Sequence, residues 1–158
     1  MRRRGFILIL LGALLGGACD SSVFYNENHS VDAEGWNLAE RLTYNIEAED
    51  TTETYLCCID IRNRNDYAYQ NLYLNIVTIY PDGGRAADTN MEFRLAQPDG
   101  QWLGKSRGRY VDGRYPLCYL HFPQRGQYQF QVTHAMRDTL LKGIDAIGIH
   151  LQRMGDKE

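Results

Sequence analysis

TYLCCIDIR, residues 54–62, places Tyr55, Cys57, Ile59 and Ile61 on one side of an extended chain and Cys58, Asp60 and Arg62 on the other. Successive side chains of a strand point to opposite faces, so this period of two reads as a strand with one face toward a core. The signature recurs on both sides of it. In LTYNIEA, residues 42–48, Leu42, Tyr44 and Ile46 share a face. LYLNIVTIY, residues 72–80, is apolar on both faces and predicts a central strand. NMEFRLA, PLCYLHF, QYQFQVTH and AIGIHLQ continue the series, punctuated by RNRND, PDGG, QPDGQ and FPQRGQ. In such turns proline presets φ and glycine accepts a positive one. Seven to eight short strands with almost no helix predict an all-β fold, a single antiparallel β-sandwich of Ig-like or jelly-roll-like type. One short helix is expected around Ala135 to Lys142.

The N-terminus has a different grammar. Arg2, Arg3 and Arg4 precede an apolar run, Phe6 to Leu15, and the small residues Gly16, Gly17 and Ala18 lead to Cys19. This is the order of a secretory signal. The run falls short of the roughly 20 residues that a membrane-spanning helix needs. The Ala-Cys junction resembles the lipobox of bacterial lipoproteins, which implies a diacylglycerol on the Cys19 sulfur. Gly16 departs from the leucine usual in that pattern, with Leu15 one step further out. Each acyl methylene buried in a bilayer adds about 0.8 kcal/mol, so two or more chains anchor stably. The expected layout is a lipoprotein signal peptide over 1–18, a lipidated polar tether over 19–40 and the sandwich over 41–158.

The chain has 17 Lys and Arg against 20 Asp and Glu, a net charge of −3 that loss of the leader arginines deepens. An acidic domain of this kind is a poor partner for nucleic acid. His29, His121, His134 and His150 show no metal-ligand spacing, and His121 and His134 are expected to face solvent beside the FPQRGQ hairpin. No nucleophile elbow or phosphate-cradling glycine loop occurs. The expectation is therefore no catalytic residue, no metal and no cofactor.

Two features remain. If Cys57 and Cys58 share a strand, they face opposite ways and only one can meet Cys118 from inside the fold. Cys57 with Cys118 is the candidate disulfide, and three buried thiols packing as small apolar groups is the other reading. Eleven tyrosines is a high count for this length. Trp102, Tyr110 and Tyr115 are the candidate binding surface, toward protein or toward a glycan stacked on the rings.

LAQPDGQWLGKS, residues 95–106, and FPQRGQYQFQVTHAMRDTLLKGIDAIGIHLQ, residues 122–152, carry a more specific signal, together with RNRNDYAYQNLYL and the lipobox-like Cys19. With these the chain resembles the gliding-motility lipoprotein H family (GldH). The resemblance implies a lipoprotein of the cell outer membrane in Bacteroidetes-type bacteria. It also implies a non-enzymatic accessory role in gliding and type IX secretion, with other envelope proteins as partners. Only Cys19, as lipid attachment point, carries over; the Cys57-Cys58 pair departs from the apolar residues expected there.

Overall fold

The computed structural model describes residues 22–155. Its strands are β1 (Val23–Ser30), β2 (Trp36–Asn37), β3 (Leu42–Ala48), β4 (Tyr55–Arg64), β5 (Asn71–Ile79), β6 (Arg85–Arg94), β7 (Lys105–Arg107), β8 (Tyr110–Leu120), β9 (Gly126–His134), β10 (Leu140–Leu141) and β11 (Ile144–Arg153). Every segment expected as a strand is one. All pairings are antiparallel, in a five-stranded sheet ordered β1-β11-β4-β8-β7 and a four-stranded sheet ordered β3-β9-β5-β6. A two-stranded piece, β10-β2, accompanies them.

The alternation in β4 explains how the sheets meet. Tyr55, Cys57, Ile59 and Ile61 are buried with Ile147, Ile149 and Leu151 of β11 and with Tyr44, Leu74 and Val132 of the other sheet. Burying a side chain of this size contributes about 1.5–3 kcal/mol, and the alternating row repeats in β3 and β9. One hydrogen bond ties the layers at depth: the Tyr44 hydroxyl donates to the Ile147 carbonyl at 2.7 Å. Burial holds that phenol protonated well above the ordinary tyrosine range.

Three expectations are corrected. The segment 19–40 does not behave as a tether over its described length: Val23–Ser30 pairs with β11 as an edge strand, and Trp36 is fully buried. An edge strand buries little, so its sequence, VFYNENHS, lacks an apolar alternation. Cys19 and the signal segment lie outside the described residues. No helix forms over 135–142; Leu140–Leu141 pairs with Trp36–Asn37 instead. The chain then turns at Gly143, φ +90°, where a Cβ would come within 2.9 Å of the Tyr67 Cα. His134 does not face solvent either. It is buried, its Nε2 lies 3.1 Å from the Trp36 carbonyl, and its ring meets the indole edge-on at 5.3 Å. Desolvation lowers its pKa from the usual histidine value.

Candidate functional site

The outward residues of β4 and β8 spell the same short pattern, Asp60-Ile61-Arg62 and Asp112-Gly113-Arg114. Because the two strands run antiparallel, the register sets Asp60 opposite Arg114 and Arg62 opposite Asp112. Opposite charges directly across a ladder attract, and here both pairs form. Arg62 donates from Nε to Asp112 Oδ1 at 2.6 Å and from Nη2 to Oδ2 at 3.2 Å. Arg114 donates from Nε and Nη2 to the two Asp60 oxygens at 2.7 and 2.8 Å. Such forked pairs fix the guanidinium plane. Arg107, on the short edge strand β7, adds an ion pair to Asp112 Oδ2 at 3.0 Å. The hydrogen bond from Arg62, reinforced by both arginine charges, holds the Asp112 carboxyl below the usual carboxylate range.

Around these pairs the face is concave. Ala146 of β11 supplies a small side chain, and Gly148 beside it supplies none. Asn28 of β1 folds over that glycine so closely that its Oδ1 leaves no room for a Cβ there. With Lys105 at the far wall, the cleft encloses about 490 Å³. Lys105 forms no ion pair among the described residues. Four cations thus face two carboxylates on a chain that is acidic overall.

The three aromatic residues expected to form one surface are not brought together. Trp102 is half-buried against the core and bridges to Ala96. Tyr115 points inward over Gly113, with Phe93 6.2 Å from its ring. Tyr110 alone stands beside the cleft, its ring already attended by the guanidinium carbons of Arg62 at 5.7 Å and Arg109 at 4.9 Å. The charged cleft was missed in the sequence. Its one readable signal is the repeated Asp-x-Arg, which becomes complementary only once the two strands are known to be neighbours.

Cys57 sits opposite Cys118 in the β4–β8 ladder, while a slip of one residue sets Cys58 opposite Pro116. All three are free thiols. Cys57 and Cys58 are buried but Cys118 is exposed, so the reading of three buried thiols fails at Cys118. The Cys57 thiol shares a hydrogen bond with the Cys118 sulfur, which pushes Cys57 up and brings Cys118 down to about 7. Among the described residues no group of three or more His, Cys, Asp or Glu is arranged to hold a metal ion. None of their helices is long and apolar enough to cross a membrane.

The family model described as GldH lipoprotein matches residues 23–151, from the first residue of β1 almost to the end of β11.

The chain belongs to the GldH lipoprotein family. It is similar to the gliding motility lipoprotein GldH homolog of Christiangramia forsetii, 28% identical over 156 residues, covering 92% of this chain and 93% of that protein. It is likewise similar to the gliding motility lipoprotein GldH of Flavobacterium johnsoniae, 26% identical over 162 residues, covering 97% and 99%. Among solved structures, a family GH115 4-O-methyl-α-glucuronidase aligns over 82% of this chain and 16% of its own, at 9% identity. The TM-score is 0.41, too low to carry a shared fold. The GldH match explains why the sandwich reaches back to Val23: the strand mistaken for a tether belongs to the family's domain.

Proposed function

We propose that this GldH-family chain is held at the cell outer membrane by acyl chains on Cys19. There it serves as a non-enzymatic accessory component of the gliding and type IX secretion machinery, acting through contacts with other envelope proteins. The observation that carries this reading is the family match over 23–151, supported by two relatives named as a gliding motility lipoprotein or its homolog.

The test has two arms. Cells fed labelled palmitate incorporate it into the wild-type chain, and Cys19→Ser abolishes the label and releases the protein from the membrane fraction. The tagged, membrane-anchored chain then co-purifies with envelope components of the motility apparatus. Label retained in Cys19→Ser, or hydrolytic turnover by the purified chain, overturns the reading.

A further inference from the structure

The cleft on the outer face of the five-stranded sheet has a feature that the sandwich itself does not require. Asp60 and Asp112 orient three guanidiniums, yet they do not use all of the donors. Arg62 retains Nη1, Arg107 retains both amino groups, and the Lys105 ammonium stands unpaired, all lining the same concavity. Guanidiniums locked by a carboxylate lose little further freedom when they take a second anion, which is the geometry of pre-organised anion recognition. The surplus is positive on an acidic chain, so the cleft attracts what the rest of the surface repels.

We propose that this cleft binds a saccharide bearing a carboxylate, a sugar acid presented by an oligo- or polysaccharide. The choice of ligand follows from the mixed lining. A peptide rich in acidic residues brings carboxylates at every turn and meets Asp60 and Asp112 as well as the cations. A sugar acid brings one carboxylate per ring, for Arg62, Arg107 and Lys105, and neutral hydroxyls that donate to Asp60 and to the Asn28 amide oxygen. The small side chain of Ala146 leaves room for the ring between the charged walls. The volume, about 490 Å³, suits a short stretch of saccharide. Recognition here runs through charge and hydrogen bonds, since the Tyr110 ring is taken by arginines. This site is independent of the lipid anchor and of the protein contacts proposed above.

Titration calorimetry on the full chain in detergent tests it, with three probes: a galacturonate trimer, the neutral galactose trimer and a pentaglutamate peptide. The galacturonate trimer binds, more weakly as salt rises, and the other two do not. The variant Lys105→Gln/Arg107→Gln removes two exposed cations while Asp112 keeps Arg62, so the fold is undisturbed and affinity falls about tenfold or more. Lys105→Gln alone gives a smaller loss of the same sign. Equal binding of the galactose trimer, equal or tighter binding of pentaglutamate, no binding of galacturonate, or unchanged affinity in the double variant with a native circular dichroism spectrum each overturns the proposal.

Discussion

The two sheets share a core and differ in where their outer faces place charge. Outward from the four-stranded sheet, β9 carries Gln127, Gln129, Gln131 and Thr133, and β3 and β5 add Thr43, Asn45 and Asn75. Gln129 donates to Asn45 at 3.1 Å, one link in a neutral amide network. Outward from the five-stranded sheet stand Asp60, Arg62, Asp112 and Arg114, with Arg107 at the edge. The middle of this face is thus neutral, and its charged residues Glu47, Glu92 and Arg94 sit on the outer strands β3 and β6. On the other sheet the charges stand on the inner strands β4 and β8, where exposed ion pairs contribute little stability, about 0–1 kcal/mol each. That contrast is what makes the charged face the candidate for recognition.

The comparison breaks first if the two sheets differ beneath their surfaces. Ile59→Ala and Leu74→Ala, one fully buried residue from each sheet, should each lower unfolding free energy by about 2–5 kcal/mol in urea titrations. A small loss at Ile59 would mean that the charged sheet is held by its surface after all. A weaker effect follows from acid. Asp112 titrates below its unfolded value of about 3.9, so its contribution is full above that pH and is lost as pH falls through the lower folded value. Asp112→Asn should cost at most about 1 kcal/mol near neutrality and flatten this acid limb of the urea midpoint. The smallest change is expected on the amide face. Gln129→Ala should stay within about 0.5 kcal/mol of wild type and leave the acid limb intact.

The core strands were legible because burial on one side forces a period of two, and Tyr55 to Ile61 state it without ambiguity. β1 was not, because Asn26, Glu27, Asn28 and His29 satisfy one another and the solvent at a sheet edge; Glu27 and His29 pair at 2.7 Å. The Ala135–Lys142 segment misled for another reason. Its partner, Trp36–Asn37, lies about a hundred residues away, and nothing local announces the pairing. The cleft failed on the same ground, since it gathers Asn28, Asp60, Arg107, Arg114 and Ala146 from five strands. Its halves were visible as Asp-x-Arg; their adjacency was not. The membership of the family was legible from contiguous motifs near the C-terminus, which need no tertiary information.

The early start of the first strand sets how far this domain can stray. Val23 follows Cys19 by four positions, and a fully stretched chain of four steps reaches at most about 14 Å. Acyl chains on Cys19, as proposed above, would keep the Val23 end of the sandwich on a leash too short for free tumbling above the lipid. Asn28, five residues further along β1, lies about 17 Å from that end at 3.3–3.4 Å per step. The cleft that Asn28 helps to line would therefore work close to the bilayer that carries it.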